Sequence, residues 1–160
     1  MTNGLLISES DFKVLDENLE ELIRVTQSRS AVLINKSGAL ILAKGQFNYV
    51  PPDDMSVMAA GAFSALGNMV DLAATHITTS FHYAHAETIH FCVITPQVFV
   101  LLLYESSPGE TKPKTEQIIH ASNKFAEKVR PILEKKNTFV PNVASFNFIN
   151  DKINEIFKVS

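Results

Sequence analysis

The sequence predicts an α+β domain in which helices cover a five-stranded antiparallel sheet, with a short C-terminal extension. Three observations carry this. Three long segments place apolar residues at helical spacing, five short β-rich runs lie between them, and two of the links between runs are too short for a parallel crossover. The resulting order is α-β-β-α-β-β-β-α, and antiparallel strands separated by helices define the class. A chain of 160 residues is long enough for one domain with a core of its own.

The first helix is expected over about residues 11–26. Phe12, Leu15, Leu19, Leu22 and Thr26 recur along one side, and Asp16, Glu17, Glu20 and Glu21 form a solvated opposite side. Two β-rich runs follow, 31–35 and 39–44, around "NKSG", where Gly38 supplies the positive φ of a hairpin turn. Pro51 and Pro52 break any strand, and Asp53 or Asp54 is placed to cap the helix after them. That second helix, 53–74, is the longest element. Runs 77–84, 88–94 and 98–104 are joined through "HAE" and "TPQ" as an antiparallel meander. The third helix starts near Thr115, with Ile118, Ser122, Phe125, Val129 and Leu133 on one side. Pro131 should kink or end it near its last turn.

The domain is expected to occupy 1–134, and 135–160 reads as an appendix. "KKNTFVPN" is a linker. Beyond it Phe146, Ile149, Ile153, Ile156 and Phe157 line one side of a possible amphipathic helix of about three turns, short enough to need something to dock on.

Composition narrows the function. A net charge of −3 with only three arginines and dispersed lysines gives no electrostatic case for nucleic acid or an anionic membrane. The longest apolar run, "VFVLLLY", falls far short of the ~20 residues of a membrane helix. The first residues lack a basic segment leading into an apolar stretch, so a cytoplasmic protein without direct membrane insertion is expected. Cys92, the one cysteine, lies in "HFCVI" and is expected to be buried and inert.

Signatures of chemistry are missing. There is no phosphate loop, no dinucleotide fingerprint, no His-Glu-x-x-His, no CxxC and no nucleophile elbow. His82, His85 and His90 cluster in "FHYAHAETIH", but no carboxylate or cysteine set accompanies them, and a histidine-rich hairpin is the better reading than a metal site. No catalytic, cofactor or metal residues are expected.

The second helix is the informative element. Wound at 100° per residue, it puts Met55, Met58, Ala59, Ala62, Phe63, Leu66, Met69, Val70 and Ala73 on an expected core side. Ser56, Val57, Ala60, Gly61, Ser64, Gly67, Asn68, Asp71, Leu72 and Ala74 fall opposite, with Asp71 the only charge. A solvated helix face normally carries Glu, Lys and Arg. Such a face either lies under another part of the chain or meets a second protein. Small residues that admit a close neighbour and the depletion of charge favour the protein. Val57, Ala60, Gly61, Ser64, Gly67, Asn68, Asp71 and Leu72 are therefore the candidate interface.

"AVLINKSGALILAKG", "MAAGAFSALGNMVDLA" and "IHFCVITPQVFVLLLY", taken in this order, resemble the Roadblock (dynein-light-chain-type) family, which includes MglB-type bacterial regulators. The likeness covers about residues 9–134. It implies a Roadblock/profilin-like sandwich and a homodimer that sets two central helices side by side and joins the sheets edge to edge through the third strand. It also implies a Ras-like small GTPase (MglA-type) as partner, whose hydrolysis or localisation is modulated in cell polarity or motility without an inserted arginine. No catalytic residue transfers. The tail departs from the plain domain, and because extensions of some bacterial relatives touch the GTPase, Phe146 to Phe157 form a possible second partner contact. Two alternatives stand beside the regulator: a dimeric adaptor that leaves hydrolysis unchanged, and a GAF- or PAS-like ligand sensor, which should enclose a pocket.

Overall fold

The computed structural model describes residues 7–69, 78–83, 87–105 and 113–135. Within them the elements run α1 (Glu9–Thr26), β1 (Ser30–Asn35), β2 (Leu40–Gly45), α2 (Pro52–Met69), β3 (Thr78–Tyr83), β4 (Glu87–Thr95), β5 (Val98–Glu105) and α3 (Thr115–Leu133). The strands form one sheet in the order β2-β1-β5-β4-β3, and every neighbouring pair is antiparallel.

Local chemistry sets the ends of these elements. The Ser8 side chain caps α1 by accepting the Asp11 N–H at 3.1 Å, and Gln27 closes the helix in the left-handed region at φ 54°. Gly38 holds φ 92° in the β1–β2 turn, where Asn35 Oδ1 accepts the Ser37 N–H at 2.9 Å. At the β4–β5 turn Thr95 Oγ1 accepts from the N–H groups of both Gln97 and Val98, at 3.1 and 3.0 Å. The expected cap of α2 is corrected. Pro52 is already its first residue, so Asp53 and Asp54 lie inside the first turn, where their charge meets the positive end of the helix dipole. α3 continues through Pro131 to Leu133.

Strand alternation divides the core in two. Ala31, Leu33, Cys92, Ile94, Val98, Val100, Leu102 and Tyr104 face α1 and α3 on one side of the sheet, meeting Leu15, Leu19, Leu22, Ile118, Phe125 and Val129. Val32, Ile34, Phe91, Phe99, Leu101 and Leu103 face the other side, toward Ala59, Ala60 and the partly buried Phe63. β5 is central and apolar on both faces, which is why it reads as an unbroken apolar run. Phe12, expected in the core, is exposed at the start of α1. Cys92 is buried as a free thiol.

α1 and α3 run antiparallel. Lys135, just past α3, contacts Asp11 in the first turn of α1, Nζ to Oδ2 at 2.8 Å. This contact and the Ser8 hydroxyl hold the Asp11 carboxyl below its usual value. At the sheet, Arg130 Nε donates to the Ile94 carbonyl at 3.1 Å and anchors α3 to β4.

Candidate protein interface

α2 alone covers its side of the sheet in the described residues, and it is positioned by one end of the domain. Ser56 Oγ donates within reach of two carbonyls, Gly38 at 2.8 Å and Asp53 at 2.7 Å, tying the helix to the β1–β2 turn. Phe63 stacks on Phe99 with ring centroids 4.6 Å apart, and Lys36 from the same turn sits 5.7 Å over the Phe63 ring. These contacts fix which side of α2 faces outward.

The observed face is rotated from the one expected. Ser56 is 1% exposed and Ala60 7%, so both belong to the sheet-facing side with Ala59 and Phe63. Ala60 is thereby removed from the outward set. Met58, expected in the core, is 66% exposed, and Ala62 is exposed with it. The outward strip in the described residues is Val57, Met58, Gly61, Ala62, Ser64 and Ala65. The cause is separation: Ser56, Ala59 and Ala60 are small, and α2 uses them to lie close to its own sheet. Part of the small-residue signal is thus intramolecular. Gly67 and Asn68 fall within α2 but beyond its described side chains. Asp71, Leu72, Phe146, Ile149, Ile153, Ile156 and Phe157 lie outside the described residues.

What remains outward is uncharged. No charged residue occurs from Met55 to Met69, and Val57 at 63% exposure heads the strip beside Met58. Gly61 is the decisive position. Among the described residues, and apart from its own helix turn, a Cβ added there would meet nothing within 4 Å, so the described packing does not call for a glycine. A mid-helix glycine costs ~0.8–1 kcal/mol relative to alanine. Its return has to come from something beyond the described packing.

Among the described residues β3 pairs only with β4, in register from Thr78 opposite Cys92 to Tyr83 opposite Glu87, and so stands at the edge of the described sheet. His90 is buried on the α1–α3 side, its ring edge-on to Tyr104 at 6.4 Å, while His82 is on β3 and His85 lies outside the described residues. Among the described residues no three His, Cys, Asp or Glu side chains are grouped to hold a metal ion, and no helix is long and apolar enough to cross a membrane.

Helices on both faces of a β2-β1-β5-β4-β3 antiparallel sheet define this chain as a protein of the Roadblock/LC7 fold, in its MglB-like form. MglB of Thermus thermophilus, described as a gliding protein, aligns with a TM-score of 0.68 at 19% identity, over 84% of this chain and 98% of its own. MglB of Myxococcus xanthus aligns at 0.62 with 15% identity, over 75% and 94%. A Roadblock/LC7 domain from Streptomyces avermitilis gives 0.59 at 15% identity, over 72% and 94%. No family model and no curated protein matches the sequence, and at these identities the likeness is one of fold.

Proposed function

We propose that this protein is a homodimeric, non-enzymatic regulator that binds a Ras-like small GTPase of the MglA type and modulates its GTP hydrolysis or localisation in cell polarity or motility. The observation that carries the reading is the uncharged outward strip of α2, with open space at Gly61 among the described residues. Charge depletion and close approach are the properties of an interface core. Val57, Gly61, Ser64, Gly67 and Asn68 would divide between the twin helix and the partner, with Asp71 and Leu72 extending the set. The place of β3 at the edge of the sheet among the described residues supports the dimer, because an edge strand can pair with a second sheet. The MglB neighbours, one of them described as a gliding protein and another as a tetrameric arrangement, favour self-association and a motility setting.

Two measurements test this. Gly61→Leu fills the gap without touching the core, so the variant is expected to fold and to sediment as a monomer where the parent is a dimer. Undisturbed dimer mass in that variant counts against the α2 assignment. The parent dimer, mixed with a Ras-like GTPase loaded with a non-hydrolysable GTP analogue, is expected to co-elute on gel filtration and to change GTP turnover. Binding to either nucleotide state with unchanged turnover would make it an adaptor, and no complex at all would sink the regulator reading.

A further inference from the structure

On the side of the sheet opposite α2, a groove of about 660 Å³ lies between α1 and α3, at the end of the helix pair away from the Lys135–Asp11 contact. Gln27, just past α1, and Pro113, just before α3, mark that end. The floor is apolar: Leu22, Ala121 and Phe125 are buried in it, and Val25 beside them is 51% exposed. The α3 rim is basic. His120, Lys124 and Lys128 follow one another at intervals of four residues, so they form a row with steps of about 6 Å along the helix.

The positive charge of that row is not balanced by the described residues. Glu21 is the one carboxylate among the described lining residues, and Arg24 engages it at 2.6 Å. Arg24 also does most to hold the Glu21 carboxyl below its usual value, with Lys128 adding a weaker field. Two further acids of α1, Asp16 and Glu20, turn to Lys44 at 2.8 and 3.7 Å. Among the described residues neither Lys124 nor Lys128 forms an ion pair. Exposed lysines on a helix ordinarily face water alone. Here they border apolar surface in a concavity whose volume falls within the ~300–1,000 Å³ of small-molecule sites, which are mostly apolar with a few placed polar groups. We propose that this groove binds an organic anion with an apolar body, its carboxylate, sulfonate or phosphate head against Lys124 and Lys128 and its body on Val25 and Phe125. The site lies on the face opposite α2, so the inference stands apart from the proposed function.

The full-length protein provides the test. Titration with anilinonaphthalene sulfonate, an aromatic anion that brightens on leaving water, is expected to show saturable binding of one molecule per chain, and decanoate is expected to displace it. Lys124→Gln and Lys128→Gln together are expected to raise the Kd about tenfold, and Val25→Asp alone by a similar factor. These three side chains are exposed, so their replacement leaves the core intact, which far-ultraviolet circular dichroism checks. Lys13→Gln removes the same charge from the other end of α1 and is expected to leave the Kd unchanged. An unchanged Kd in both groove variants overturns the proposal, and so does the absence of saturable binding. Displacement by inorganic phosphate as readily as by decanoate overturns it too, because a bare anion has no use for the apolar floor.

Discussion

Gly45 and Gly61 are opposite cases of the same residue. Gly45 holds φ 101°, and a Cβ there would collide with the Arg29 carbonyl oxygen and lie 2.6 Å from Ser30 Cα, so β2 ends on a backbone that has no room for a side chain. Gly45→Ala is expected to destabilise the domain by about 1–3 kcal/mol in urea unfolding. Gly61→Ala, in a helix with open space around it, is expected to stabilise the isolated fold by about 0.5–1 kcal/mol while weakening self-association in sedimentation. Tyr104 gives a third residue-level test. Burial pushes its phenol up to about 12, only slightly opposed by Thr26. The Thr26 hydroxyl is engaged with the Leu22 carbonyl at 2.6 Å and Ser28 at 3.1 Å, and Tyr104 is left without a partner of its own at bonding geometry. The folded state therefore favours the neutral phenol. Its contribution is complete below pH ~10, where an unfolded tyrosine also keeps its proton, and is lost as pH rises toward 12. Ultraviolet titration should show one late tyrosinate step that Tyr104→Phe abolishes. That variant should be neutral or slightly more stable at pH ~7, because an unpartnered buried hydroxyl costs about 1–3 kcal/mol.

Among elements, α2 depends on a small number of anchors. Ser56→Ala removes its hydroxyl link to the Gly38 carbonyl and is expected to cost about 1 kcal/mol by thermal melting, with local exchange quickening in the β1–β2 turn. The other helices were readable in the sequence because their charged sides oppose their apolar ones. Leu15, Leu19 and Leu22 in α1, and Ile118, Phe125 and Val129 in α3, are buried as their spacing requires. The strands were readable from β-rich runs broken by Gly38 and the proline pair. α2 was not readable in the same way. From Met55 to Met69 it has no charge, so periodicity offers two apolar sides and nothing to say which one water takes. Winding at 100° per residue puts Met58 on the core side and Ala60 outside. Close packing on the sheet reverses them, because the small residue is the one that lets the helix approach.

At the scale of the molecule, the sequence indicated a meander and a separate hairpin, but the way they join lies in long-range pairing. β1 and β5 meet in register from Ser30 opposite Leu103 to Asn35 opposite Val98, placing β5 at the centre. Apolar strands on both sides of that seam match several partners equally well by composition, and only the completed sheet selects one. The candidate interface was half legible for the same reason: the absence of charge on α2 was visible, and its orientation was set by residues more than a dozen positions away, such as Gly38.

The central place of β5 bears on how the protein is made. α1 and the β1–β2 hairpin are complete at Gly45, yet β5, the strand that pairs with β1, ends at Glu105, 60 residues later. At about 5–20 residues per second, synthesis leaves that first third waiting roughly 3–12 s with its apolar surfaces uncovered. Productive folding is therefore tied to the arrival of one late strand. A ribosome stalled before Val98 would hold a nascent chain that binds chaperones, and one stalled once Glu105 has cleared the exit tunnel would hold a chain whose sheet can close.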